Sequence, residues 1–299
     1  MSENTVIPAD HYGDTDAVFH GHTTRTIFRL AVNQLLSGLC ILLALATFIP
    51  LGSILWLVIA NGAPHLRWDT FTTLAPAPGM AGNGLGNAIL GTALLVGLAI
   101  AISAPLGILA AIYICEYGRN TWLAAAVRFT AKLLTGIPSI ICGVFAYAVI
   151  VVTTEKFSAL AGAIALGVLA LPTILLTSEQ ALLGVPKSFR EASFGLGATN
   201  FQTIWRIILP EAFPAMMTGI MLAVARAAGE TAPVLFTALF NNFWNTNIWK
   251  PTATLSVLIY NFSTMPYPEQ IALAWTASLV LVGVVTITNI LSQLAFNKK

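Results

Sequence analysis

Charge is the scarcest commodity in this sequence. Lys, Arg, Asp and Glu together make up 9% of its 299 residues, where a soluble globular domain carries about 25%. So few charges cannot cover a protein that meets water on every side. The net charge of +2 is too small to point to a nucleic-acid partner. Histidine is nearly confined to the first residues. Beyond His11, His20 and His22 only His65 remains, in a connection between apolar runs, so a haem or quinone site inside a membrane would lack its usual ligands. Cys40, Cys115 and Cys142 are odd in number and lack metal-ligand spacing. They support neither a disulfide framework nor a zinc site and read as packing residues. No Gly-Lys pair occurs, so the phosphate-cradling loop of a nucleotide hydrolase is missing. Gly82, Gly84 and Gly86 have the wrong spacing for a dinucleotide fingerprint and read as a loop.

What the sequence has is apolar length. Hydrophobic residues make up 57% of the chain and its mean hydropathy is +0.82. A helix needs about 20 mostly apolar residues to cross about 30 Å of hydrocarbon. Six stretches qualify: Leu30–Ala60, Ala88–Ile114, Leu133–Thr153, Ala159–Leu183, Ala215–Phe240 and Ile271–Phe296, the first and fifth expected to include interfacial turns. The expected fold is therefore an all-α integral membrane protein with six transmembrane helices. Pro105 and Pro172 fall within the second and fourth runs and are expected to interrupt them. The first thirty residues are polar and lack the apolar core of a cleaved signal peptide. The histidines there, among Asp10, Asp14 and Asp16, read as a solvated tail rather than a metal site.

Basic residues set the expected orientation. With the N-terminus in the cytoplasm, the inner segments hold Arg25, Arg29, Arg119, Arg128, Lys132, Lys187, Arg190, Arg206, Lys298 and Lys299. The outer ones hold Arg67, Lys156 and Lys250, ten against three. Both termini are accordingly expected inside. The inner stretch from Glu179 to Pro214 is amphipathic: Phe189, Phe194, Leu196, Ile204, Ile207 and Ile208 alternate with Lys187, Arg190, Glu191 and Arg206. On pattern alone it is equally a docking surface or a helix lying on the membrane interface.

Within it, Arg190-Glu191-Ala192-Ser193 is followed by Gly197 and then by Ile207, Leu209 and Pro210. This resembles the EAA loop of type I ABC importer permeases, which reads Glu-Ala-Ala, three residues, Gly, nine residues, Ile, one residue, Leu-Pro. Ser193 in place of Ala is the sole departure. The resemblance implies two short helices joined at Gly197 that dock into a cleft on an ATP-binding subunit, with Arg190, Glu191, Ala192, Ser193, Gly197, Ile207, Leu209 and Pro210 in that coupling role. Glu191 is expected near the start of its helix, where the dipole favours an anion.

Arg226 and Glu230 lie four residues apart in the fifth run, so they share a helix face and can pair. Counted from Ala215, Arg226 falls about 16 Å deep. A buried pair that fixes packing is one reading. The other is a pathway lining that meets an anion, because a guanidinium fork matches a tetrahedral oxyanion. The string Ala225-Arg226-Ala227-Ala228-Gly229-Glu230-Thr231-Ala232-Pro233 resembles the signature of the phosphate importers' permease subunits. That resemblance adds Thr231 to the pathway, and it extends from about Asn87 to the C-terminus.

It implies translocation of phosphate by alternating access in the bacterial inner membrane. The implied partners are a PstC-like sister permease in a heterodimer, two ATP-binding subunits, an extracytoplasmic phosphate-binding protein and membrane lipid, with no nucleic acid. The chain itself would be non-catalytic and bind no cofactor, ATP and Mg residing on the partners. The organisation expected is a polar tail 1–29, a first helix and external loop 30–86, a permease core 87–296 with the coupling loop at 186–211, and a cytoplasmic end 297–299. Permeases for sulfate, molybdate or phosphonate are the nearest alternatives. A secondary transporter fits less well, lacking any visible internal repeat.

Overall fold

The computed structural model describes residues 24–80 and 82–296, and among these every regular element is a helix. The histidine-bearing tail and the last three residues lie outside them. The chain divides into two units, residues 1–56 and 57–299. The first holds α1 (Thr24–Ala46) and the beginning of α2 (Phe48–Gly62). Helix therefore starts six residues ahead of the expected Leu30. The break at Thr47 has a local cause: Pro50 offers no N–H to the Ala46 carbonyl and its ring crowds that oxygen. Leu35, Ile41, Leu42, Phe48, Ile49 and Trp56 are all exposed, a surface suited to lipid or another protein rather than to water.

The second unit continues through α3 (Asp69–Thr72), α4 (Gly86–Ile112), α5 (Trp122–Gly136), α6 (Ser139–Ala146) and α7 (Val152–Thr154). It goes on with α8 (Ala159–Gly184), α9 (Lys187–Gly195), α10 (Asn200–Thr203), α11 (Leu209–Gly229), α12 (Ala232–Thr237), α13 (Leu255–Ser263) and α14 (Pro268–Phe296). π-Helical turns at Tyr113–Tyr117, Tyr147–Val151 and Ile204–Ile208 extend α4, α6 and α10. Among the described residues, five helical runs are long and apolar enough to cross a bilayer. They are Phe28–His65, Gly86–Tyr117, Ala159–Gly184, Asn200–Gly229 and Pro268–Leu294. The pair Trp122–Gly136 and Ser139–Thr154, bent by 105°, supplies a sixth when taken as one span.

Lipid gives apolar helices no hydrophobic reason to associate, so close contact depends on small residues. A Cβ added at Gly91 would stand 1.9 Å from the Ala253 carbonyl oxygen, and one at Gly219 would stand 2.1 Å from Thr177 Oγ1. α4 and α8 bury Leu95, Ala99, Leu166 and Ile174. Hydrogen bonds fasten the far end of the bundle: Leu255 N donates to Thr92 Oγ1 at 2.9 Å, and Asn87 Nδ2 donates to the Asn241 carbonyl at 2.9 Å.

Three expectations are corrected. Pro105 and Pro172 do not interrupt their runs but lie inside continuous α4 and α8, since neighbouring helices can hold a span that has lost one bond. The third run does not begin at Leu133. Leu133 to Gly136 end α5, and Ile137, extended at φ −76° and ψ 132° ahead of Pro138, turns the chain into α6. The fifth run does not continue to Phe240. α11 stops at Gly229, Glu230 is extended (ψ 124°), and α12 restarts with Pro233 in its first turn.

Candidate functional site

The amphipathic loop folds into two short helices. Pro186 leads into α9, which ends where Gly197 turns left-handed at φ 79°, a conformation that costs other residues roughly 1–2 kcal/mol. The turn closes with Gly197 N donating to the Phe194 carbonyl at 2.9 Å and Ala198 N to the Ser193 carbonyl at 3.1 Å. α10 opens on a reciprocal cap: Gln202 N donates to Thr199 Oγ1 at 3.3 Å, and Thr199 N donates to Gln202 Oε1 at 3.0 Å. Ser193, the departure from the motif, is buried and shares a hydrogen bond of 2.8 Å with Thr203 Oγ1. A hydroxyl here ties the two helices face to face.

The motif residues divide between outside and inside. Glu191, Ala192 and Gly197 are exposed. Phe189, Phe194, Phe201 and Trp205 are exposed beside them, with Leu196 at 90% exposure. The Phe201 and Trp205 rings pack at 5.8 Å between centroids. This apolar, aromatic knob was only partly drawn from the motif, which fixed the turn but not which side chains point outward. Ser193 is buried, and Ile207 and Leu209 are half-buried around buried Ile204 and Ile208, so these residues attach the knob to the bundle. Pro210 marks the change from π-turn to α11, having no N–H for the Arg206 carbonyl. Arg190 also turns inward: its Nη2 donates to Glu116 Oε1 at 2.7 Å, and its Nη1 to the Val185 carbonyl at 2.9 Å. Glu191 is the fifth residue of α9, not in its first turn, so the helix dipole does not explain it.

The second candidate site lies at the other end of α11. Arg226 occupies the last turn of the helix, where unpaired carbonyls favour a cation. Its depth is therefore not the 16 Å counted from Ala215, because the helical run begins at Asn200. Arg226 Nε donates to Glu230 Oε1 at 3.3 Å. Among the described residues this is its one hydrogen bond, and the side chain is 41% exposed, which leaves both Nη groups for a ligand. Glu230 is held by the broken backbone, its carbonyl accepting from Ser256 Oγ at 3.0 Å. Thr231 is half-buried in the same break. Four and eight residues before Arg226, Leu222 and Thr218 line a cavity of about 360 Å³ with Thr177, Asn289, Ser292 and Gln293. These hydroxyl and amide groups carried no motif and were not legible as a site beforehand. No group of three or more His, Cys, Asp and Glu side chains suited to a metal occurs among the described residues.

Comparison with known proteins places this architecture. Residues 103–298 match the family model described as binding-protein-dependent transport system inner membrane component. The chain is 44% identical over 246 residues to the phosphate transport system permease protein PstA of Yersinia pestis, covering 82% of this chain and 83% of the relative. It is 40% identical over 275 residues to PstA of Haemophilus influenzae (92% and 97% covered), and 34% identical over 295 residues to PstA 1 of Mycobacterium tuberculosis (97% and 96%). Among solved structures, an inward-facing MetNI methionine ABC transporter chain aligns with a TM-score of 0.57 at 20% identity, covering 82% of this chain and 97% of that one. A bacterial ABC transporter that imports alginate aligns at 0.55 and 17% identity, with 90% and 98% covered. At such identities the structures establish the fold alone.

Proposed function

The chain belongs to the PstA family of phosphate transport system permeases, inner-membrane components of binding-protein-dependent ABC importers, and we propose how its parts divide the work of that role. It is the multi-pass membrane subunit of a phosphate importer, served by ATP-binding subunits and a substrate-binding protein. In our reading it forms a heterodimer with a PstC-like sister, sits on two ATP-binding subunits, and receives phosphate from an extracytoplasmic binding protein. It performs no chemistry and holds no cofactor of its own. Both termini lie in the cytoplasm, which puts the α9–α10 knob on the side of the ATP-binding subunits.

The exposed knob is the docking element. Phe194, Leu196, Phe201 and Trp205 supply apolar surface, Ala192 and Gly197 shape the turn that presents it, and Glu191 is exposed beside them as a charged contact. Helix in groove is a familiar recognition mode for such a surface. Motion of the ATP-binding pair is passed through the knob to the bundle, which tilts between outward and inward openings as a rigid body.

Arg226 meets the anion, and the observation that carries this is its unsatisfied guanidinium at a broken helix. Glu230 offsets part of its charge, so phosphate is attracted without being held fast. Thr231 lies beside it in the break. From there the neutral donors Thr177, Thr218, Asn289 and Gln293 offer a path in which hydrogen bonds replace water around the anion. The test is uptake of labelled phosphate at low concentration in cells lacking this subunit, with and without its restoration, in excess sulfate or molybdate. Uptake that returns only with the chain and resists both competitors is the expected result. Uptake independent of the chain refutes the assignment of phosphate.

A further inference from the structure

Beside the knob the chain concentrates charge in a place where burial is expensive. Glu179 is buried near the end of α8, and Glu116 sits in the π-turn that ends α4, its side chain 12% exposed. An unpaired carboxylate at either place would carry a heavy desolvation cost. Each is met by an arginine from a different element. Arg128 of α5 pairs with Glu179 through Nε, and its Nη2 donates to the Ile114 carbonyl at 3.0 Å. Arg190 of α9 pairs with Glu116 at 2.7 Å. Arg190 also closes the exposed end of α8, donating to the Val185 carbonyl at 2.9 Å and the Leu182 carbonyl at 3.2 Å, the last-turn oxygens that a helix leaves unpaired. Cys115 lies between the pairs, its Sγ 3.8 Å from the Glu179 carbonyl.

The two pairs thus fasten four elements at one point: the end of α4, α5, α8 and the docking helix α9. Without Arg190, α9 would keep its tie to α10 through Ser193 and Thr203 but would lose its polar fastening to the ends of α4 and α8. With it, a push on the knob reaches the ends of two spans and the elbow helix together. We propose that Glu116–Arg190 and Arg128–Glu179 form a joint that makes the knob and these helices move as one lever, and that Glu116 and Arg190 are positioning residues setting how much phosphate moves per ATP hydrolysed. This rests on the knob being the docking element.

The experiment uses the full importer, both permeases with ATP-binding subunits, in proteoliposomes with the binding protein, measuring phosphate imported and ATP hydrolysed together. Glu116→Gln keeps the shape and a hydrogen-bond acceptor but removes the charge. The expected result is an assembled complex that still hydrolyses ATP, with phosphate moved per ATP reduced about fivefold or more, the scale of a coupling energy between linked sites. Exchanging the pair, Glu116→Arg with Arg190→Glu, is expected to recover part of the ratio, because the ion pair returns while the bonds from Arg190 to the Val185 and Leu182 carbonyls do not. An unchanged ratio in Glu116→Gln overturns the joint. So does failure of both Glu116→Gln and the exchanged pair to assemble, which would mark these residues as support for the fold only. The docking premise is tested separately by Leu196→Cys, in a background with Cys40, Cys115 and Cys142 replaced by Ala. A cross-link to the ATP-binding subunit with an unchanged ratio sinks the joint alone, whereas absence of the cross-link sinks the docking reading itself.

Discussion

Arg226 is the residue on which transport should turn. Its Nη groups face no partner among the described residues, so Arg226→Gln removes the charge that would meet phosphate at the structural cost of the single bond to Glu230. Phosphate uptake should fall to background while the subunit still co-purifies with its partners. Uptake at the normal rate would show that the anion passes elsewhere. Ser193 makes the opposite case. Its hydroxyl meets Thr203, which keeps a second bond to the Thr199 carbonyl at 3.0 Å. Ser193→Ala should therefore cost only about 1 kcal/mol, a small shift in the melting temperature of the purified complex. Ser193→Leu has no room between the two helices, so it should release the ATP-binding subunits. Equal behaviour of the two variants would contradict the buried contact.

At the scale of elements, the knob depends on one backbone angle and one side chain. Gly197→Val at φ 79° strains the turn by roughly 1–2 kcal/mol and should loosen retention of the ATP-binding subunits in pull-down. Leu196→Asp leaves the turn intact but places a charge on the most exposed apolar side chain of the knob. It should abolish ATP-driven uptake while the permease still inserts in the membrane. In the bundle, α8 and α11 touch through Gly219, with no space for even a Cβ beside Thr177. Gly219→Val should lower the yield of assembled complex, read by size-exclusion of the detergent-solubilised importer; a normal yield would mean the contact is easily opened. The breaks were read less well than the runs. Hydropathy marks apolar length but not where a helix stops: the Ile137-Pro138 elbow keeps its apolar character, and Glu230 in the Gly229–Thr231 break has the spacing of a helical partner for Arg226.

At the scale of the whole molecule, orientation is open to direct measurement. Cysteines placed at Ser2 or Lys299 should resist an impermeant thiol reagent in intact cells. Trp249→Cys, in the exposed connection between α12 and α13, should react. The reverse pattern would put the knob on the wrong side for ATP-binding subunits.

What the sequence determined by itself was the class. Scarce charge and long apolar runs permit few folds in a bilayer, because only helices and closed barrels satisfy their own backbone there, and the spaced Glu-Ala, Gly and Leu-Pro residues registered the knob. Tertiary structure decided which motif residues face outward and which bind inward. Arg190 and Ser193 belong to the EAA-like motif by spacing, yet one reaches Glu116, 74 positions away, and the other Thr203. Arg128 and Glu179, 51 positions apart, had no motif to join them. Such pairings follow from how helices pack, and packing depends on contacts between distant residues that no local pattern of polarity encodes.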